Sequence, residues 1–427
     1  MWKSSLRKLT KQLPHPRSKY KIAPPVNETS PNAIPTEITE QTSSADSEKI
    51  AAAKTSFSFR DRVTALDGLR GLAILSVFLY HYAGGKENHP HSLLLRAMYG
   101  TTKFGWAGVD LFFVLSGFLI TGILYDTRHD PHYYKNFYIR RSLRIFPLYY
   151  FFLAITAVVG IYVGAHWHAS QALFLLYLGY PSALILRDLI PQSPYLRITH
   201  LWSLSVEEQF YLLWPFLILT LSTSRRILRL CGVLFFMALA MRLLIWSTGW
   251  LHEGWAYTFL PFRMDSLALG GALAMLIRGP LREKVMKLAP AVFMIAAAGL
   301  AIVLFFAPTT DHDAPQIWTV GFTVNTLVSG ALLLLALRPD GIVQRVFDFR
   351  PLRELGKYSY GMYIYHFPLA VLLDPIKPPL IQAMHSEVLA KIIFVIGSLL
   401  VNYLVAKASF EFFESPILNL KSRFSYV

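Results

Sequence analysis

The chain has 427 residues, 54% of them hydrophobic and 16% charged, with a mean hydropathy of +0.41. Soluble domains carry nearer a quarter of charged residues, so this composition excludes a water-soluble enzyme and a nucleic-acid-binding reading of the +15 net charge. Recurrent apolar runs of roughly 17–22 residues fit bilayer-spanning helices, and exclude a transmembrane β-barrel, whose strands alternate over about ten residues.

Residues 1–62 are polar and basic, with Pro24-Pro25, Ser30-Pro31-Asn32 and Thr42-Ser43-Ser44. Such a stretch cannot build a core and is expected to be a disordered cytoplasmic tail. The segment Met1 to Lys21 lacks an apolar h-region, so it does not read as a cleavable signal peptide. Its positive charge anchors topology or, alternatively, meets anionic lipid.

Ten spans follow, at 64–83, 104–125, 145–164, 203–222, 228–247, 256–277, 288–307, 317–337, 357–374 and 389–410. An eleventh apolar run, 171–186, is ambiguous, and charge decides it. If it does not cross, 30 of the 41 Lys and Arg fall on the cytoplasmic side and 6 outside, as the positive-inside rule requires. If it crosses, Arg225, Arg226 and Arg229 move outside. The expectation is therefore an all-α polytopic membrane protein with about ten transmembrane helices, both termini cytoplasmic and a re-entrant or interfacial piece at 171–186. One membrane domain covers 63–410, followed by a short cytoplasmic tail at 411–427. The expected location is a cell membrane, inner or plasma, crossed many times.

Ionisable residues at bilayer depth are costly and face a protein interior or a cavity. The first span carries Asp67 and Arg70 near its cytoplasmic end and His81 near its outer end. Arg70 and His81 are eleven residues apart, close to three full turns, so they share a stripe roughly 16 Å long. The blander account is an Asp–Arg pair at a helix start and an interfacial histidine. The second span carries Asp110 and Ser116, and its Gly108, Gly117 and Gly122 suit close helix packing. Arg140, Arg141 and Arg144 open the third, where guanidinium groups can clamp phosphate bidentately or simply anchor the helix inside.

In the fourth, His200, Ser203, Glu207, Tyr211 and Trp214 fall on one stripe, while Glu208 points about 100° away. That register favours Glu207 for a site and leaves Glu208 to cap or solvate the outer end. Arg263 and Asp265 lie two residues apart, on opposite faces, so each needs a partner on another helix. Ser359, Tyr363 and His366 share a stripe in the ninth span. His166 and His168 flank Trp167 in an outer loop, where surface histidines are commoner than ligands, and Cys231 is the sole cysteine. No metal is expected. Histidine, carboxylate, hydroxyls and arginines together suit proton transfer and acyl transfer.

The chain resembles the acyltransferase type 3 family of integral membrane acyltransferases. The resemblance rests on six ordered blocks: Leu66-Asp67-Gly68-Leu69-Arg70 with His81 beyond it; Gly108-Val109-Asp110 through Ser116-Gly117-Phe118; Arg141-Ser142-Leu143-Arg144; His200-Leu201-Trp202 through Glu207-Glu208-Gln209-Phe210-Tyr211; Phe262-Arg263-Met264-Asp265; and Tyr358-Ser359-Tyr360 through His366. It implies a ten-span core. It also implies transfer of an acyl group, commonly acetyl, from cytoplasmic acyl-CoA to a hydroxyl of an outer-face acceptor such as a surface or lipid-linked polysaccharide. On this resemblance Arg70 and His81 match the family's basic-residue-to-histidine pair. Arg141 and Arg144, with Arg140 beside them, would hold CoA phosphates. His81 would act as general base or would briefly carry the acyl group, and Glu207 would orient it.

Asp67, Asp110, Ser116, Ser203, Arg263, Asp265 and His366 would support the site. Some members carry a second, soluble transferase domain after the last span; here the sequence ends at Val427, which leaves room for a separate outer-face transferase partner. The rival functions are a transporter or flippase for a lipid-linked sugar or acyl donor and a polytopic scaffold; the first would work without acyl-CoA and the second would tolerate His81→Ala.

Overall fold

The computed structural model describes residues 63–83, 93–162, 198–249 and 253–424. The tail at 1–62, the run at 171–186, and His166 and His168 lie outside the described residues. Those described form helices without a β-strand among them.

Each of the ten expected spans has a helix. α1 is Thr64–Ala83, α2 Leu93–Lys103, and α3 Ala107–Asp126 after a 3-10 turn at Phe104–Trp106. α4 is Tyr133–Tyr162, α5 Trp202–Leu221, α6 Ser224–Thr248, α7 Glu253–Thr258, α8 Leu260–Leu276 and α9 Arg282–Phe306. A π-helical turn at Ile317–Gly321 leads into α10, Phe322–Ala336. Then come α11 Ile342–Phe347, α12 Arg350–Lys357, α13 Ser359–Leu373, α14 Lys377–Met384, α15 Glu387–Ser409 and α16 Ser415–Leu418.

Among the described residues, seven helical stretches are long and apolar enough to cross a membrane: 94–126, 133–162, 224–248, 254–276, 282–306, 317–336 and 387–424. The other three expected spans, α1, α5 and α13, are where polar groups concentrate or, for α13, where the helix has 15 residues. Local chemistry explains the departures from the expected bounds. α4 starts twelve residues before the expected 145, because the arginine-bearing stretch is itself helical. The sixth span breaks at Phe259, which is extended; Pro261, lacking an N–H, sits in the first turn of the new helix α8. Ser386 caps α15, its hydroxyl accepting from the Leu389 N–H at 3.3 Å.

The helices sort into an inner and an outer set. α6, α9 and α15 expose apolar side chains: Phe305 is 82% and Ile295 74% exposed. Apolar surface of that extent belongs against acyl chains. α3 and α8 are mostly buried and touch backbone to backbone. A Cβ on Gly117 would run into the Leu267 carbonyl, and one on Gly270 into the Val114 carbonyl. α12 seats against α1 the same way, through Gly356 and Gly71.

The two opposed charges of α8 find their partners. Arg263 pairs with Asp110 of α3, and Asp265 with Arg242 of α6 at 2.6 Å, all four side chains fully buried. Asn325 donates to Asp110 at 2.8 Å and Thr323 to Asp265 at 2.9 Å. Ser266 donates to Asp110 at 3.3 Å. The 411–424 segment is helical and returns to α4: Arg140 donates to the carbonyls of Lys421 and Phe424, at 3.0 Å each.

Candidate functional site

α1, α3, α4, α5 and α13 enclose a cavity of about 110 Å³. Arg70 reaches it from α1, Arg141 and Arg144 from α4, Ser116 from α3, Ser203, Glu207 and Tyr211 from α5, and Ser359, Tyr360 and Tyr363 from α13. The spacing is what brings them in. Arg141 and Arg144 share a face at i, i+3, as Ser203, Glu207 and Tyr211 do at i, i+4, i+8.

Hydroxyls knit the wall. Ser116 Oγ lies 2.6 Å from the Tyr211 hydroxyl, and Ser203 Oγ 2.6 Å from that of Tyr363. The Tyr363 hydroxyl also lies 2.5 Å from the His200 carbonyl, and Tyr360 donates to the Ile145 carbonyl at 2.7 Å. The Arg141 guanidinium stands 5.5 Å from the centre of the Tyr211 ring. Glu207 is the one carboxylate in the wall among the described residues, with Ser116, Tyr211, Arg141 and Arg144 as its neighbours. Arg70 bonds Asp67 at 3.1 Å, so the Asp–Arg pair and the cavity-lining role coexist. With Arg70 already held by Asp67, Arg141 and Arg144 stand against one lining carboxylate, an arrangement that suits an anion.

His81 is not part of this wall. Its ring stands 5.0 Å from that of His366 and 4.7 Å from that of Phe367, centroid to centroid. His200 completes the group, 5.1 Å from His366. The Tyr82 hydroxyl donates to the His366 carbonyl at 2.7 Å, which ties the end of α1 to α13 beside these rings.

The structure thus gathers Arg70, Arg141, Arg144, Glu207, Ser116 and Ser203 in one cavity, and His81 with His366 in a neighbouring cluster. Glu207 lies with the arginines. Three of the supporting residues, Asp110, Arg263 and Asp265, belong to the buried ion-pair network of α3, α6, α8 and α10. Arg140 is absent from the lining and grips the C-terminal segment. Glu208 is half-buried, and its Oε1 is buried without a hydrogen-bond partner among the described residues.

Sequence reasoning missed Arg242, and missed that His200, in a 3-10 turn before α5, belongs with His81. It also missed Lys421, which the returning C-terminal segment sets beside Arg140, Arg141 and Arg144. For His200 the signal was the Ser359, Tyr363, His366 stripe, which needed a polar counterpart across the interface. In the loop after α9, donor atoms of Asp311, His312 and Asp313 come within 4.8 Å of one another. His312 stacks on Tyr257 at 4.0 Å. Burial pushes its imidazole below the usual histidine range, against the pull of Asp311 and Asp313. Three consecutive residues of a partly exposed turn are as readily hydrated as metal-bound.

The family profile described as "Acyltransferase domain" matches residues 63–407. The chain is 26% identical over 388 residues to the peptidoglycan O-acetyltransferase OatA of Listeria monocytogenes, covering 84% of this chain and 56% of that protein. It is also 26% identical over 388 residues to the O-acetyltransferase OatA of Staphylococcus aureus, covering 82% of this chain and 56% of that protein. The chain thus spans just over half the length of these relatives. No solved structure matches.

Proposed function

We propose that this chain, which belongs to the acyltransferase type 3 family, moves an acetyl group from cytoplasmic acetyl-CoA to a hydroxyl of an outer-face glycan. The observation that carries this reading is the convergence of Arg70, Arg141 and Arg144, from two helices, on one cavity that also holds Glu207. Guanidinium groups recognise phosphate bidentately, so the arginines would take the donor's phosphates. The cavity suits one portion of a donor, and the pantetheine arm would extend along the Arg70 face of α1 toward His81, roughly 16 Å away at 1.5 Å per residue. In the topology we favour, ten crossings put both termini and the arginines inside and His81 near the outer face. The relatives' names, which specify peptidoglycan in one case, make a cell-wall polysaccharide the acceptor to try first, with any further transferase as an outer-face partner.

The chemistry asked of the protein is modest. A thioester is already activated, so the chain must hold the donor, orient the acceptor hydroxyl and accept its proton. Histidine is the side chain suited to that at neutral pH. His81 would serve as base or as transient acyl carrier.

The test is purified protein in liposomes, with labelled acetyl-CoA on one side and peptidoglycan fragments on the other. Base-labile labelled ester on the glycan, with release of CoA, is the expected result. His81→Ala should lower it by about 100-fold or more, the usual contribution of a general base. No acetyl-CoA-dependent ester, or an unaffected His81→Ala variant, would overturn the assignment.

A further inference from the structure

We propose that His366, with His200 behind it, briefly takes up the acceptor's proton, a positioning residue that works through His81. The inference rests on the acyl-transfer reading above and extends it to two residues outside the arginine cavity.

The tautomers follow from the partners. His366 Nδ1 lies 2.6 Å from the Tyr363 carbonyl, and His200 Nε2 lies 3.2 Å from the Ile364 carbonyl. A carbonyl can only accept, so each of these nitrogens carries the ring proton. The opposite nitrogens, His366 Nε2 and His200 Nδ1, are then bare lone pairs. Both are buried without a hydrogen-bond partner among the described residues. Buried polar atoms in folded proteins are nearly always satisfied, and exceptions concentrate where a group has chemistry to do. Here two such exceptions sit in one cluster, one ring away from His81.

Burial keeps both rings neutral between turnovers, so a proton taken up there is held only in passing. His366 is fully buried and His200 nearly so. The titratable groups facing His366 are His81 from α1, His200 from the turn before α5 and Tyr363 from its own helix. Tyr82 of α1 binds its backbone, Phe152 of α4 faces His200, and Asn402 of α15 donates to the Met362 carbonyl. On its inner side the cluster meets the cavity through Tyr363 and Ser203, which line it.

The step balances. The acceptor O–H gives its proton to His81 as its oxygen attacks the thioester carbonyl. The C–S bond breaks, and CoA leaves as thiolate. His366 Nε2 takes the proton from His81 while keeping its Nδ1–H, and the proton returns through His81 to the CoA sulfur. Ester and free thiol are the products, with nothing oxidised or reduced.

The experiment uses the full chain in liposomes with acetyl-CoA and peptidoglycan fragments, comparing wild type, His366→Gln and His366→Ala across pH 5 to 9. His366→Gln should lower kcat by about tenfold or more, leave KM for acetyl-CoA within about twofold, and change the shape of the pH–rate profile. Added imidazole should restore part of the His366→Ala rate. An unchanged kcat in His366→Gln overturns the relay. So does a lowered kcat with a wild-type pH profile and no imidazole rescue, which marks a packing role. A wild-type protein that forms no ester overturns the acyl-transfer reading, and the relay falls with it; an active wild type beside an unaffected His366→Gln overturns the relay alone.

Discussion

Replacing Asp110 by alanine tests whether the buried charges of α8 are architecture or catalysis. The Asp110 carboxylate accepts from Arg263, from Asn325 at 2.8 Å and from Ser266 at 3.3 Å. Its removal strands a fully buried guanidinium whose Nε and Nη1 already lack partners among the described residues. The Phe322 ring, 4.1 Å from that guanidinium, offers a π face but no acceptor lone pair. Breaking a buried ion pair from one side costs about 3–5 kcal/mol, because the remaining charge stays desolvated. Replacing both partners by apolar groups of similar volume is often neutral. Asp110→Ala should therefore lower the thermal midpoint of the detergent-solubilised protein sharply, and Asp110→Leu combined with Arg263→Met should recover most of the loss. Unfolding followed by tryptophan fluorescence or by size-exclusion survival measures both. If Asp110→Ala keeps a wild-type midpoint yet abolishes ester formation, the network is part of the active site and the reasoning fails.

Three further outcomes follow from the site and its frame. Arg144→Lys should raise KM for acetyl-CoA by about tenfold, because lysine loses the bidentate fork and a charged hydrogen bond is worth about 1.5–3 kcal/mol; an unchanged KM would remove Arg144 from donor binding. Glu207→Gln should reduce acyl transfer by about tenfold or more while Glu208→Gln stays within a few-fold at equal membrane abundance, and the reverse order would mean that the cavity-lining carboxylate is not the working one. Gly117→Val should force α3 off the Leu267 carbonyl of α8 and cost about 1–3 kcal/mol, seen as reduced folded protein, whereas Gly232→Ala, with open space around its Cβ position, should be neutral or slightly stabilising.

The sequence made some of this legible and hid the rest for definite reasons. Apolar run length located a helix for every expected span. The two-residue offset of Arg263 and Asp265 foretold partners on different helices, since residues so spaced cannot face one neighbour. Helical register alone separated Glu207 from Glu208, and Glu207 is the one that lines the cavity. Other features depend on which helices touch, which periodicity does not encode. His200 and His366 are 166 positions apart in the numbering and meet only because α13 packs beside the start of α5. Arg140 differs from Arg141 by one position, hence by about 100° of helix rotation, and that turns it to the C-terminal segment. The arginines read as the start of a helix, but its first turns do not: α4 begins at Tyr133, twelve residues before the expected 145, because run length registers only the apolar part of a helix.

The seating of α12 against α1 makes α1 a measuring stick. With Gly71 and Gly356 admitting backbone on backbone, the helix can neither slide nor turn without separating from its neighbour. The interval between Arg70 and His81 is therefore set by residue count alone. One residue inserted between them would advance His81 by about 1.5 Å and swing it by about 100°, out of the company of His366. A conservative side-chain exchange in that stretch changes neither quantity. α1 should accordingly tolerate side-chain exchanges between residues 72 and 80 far better than a change in length.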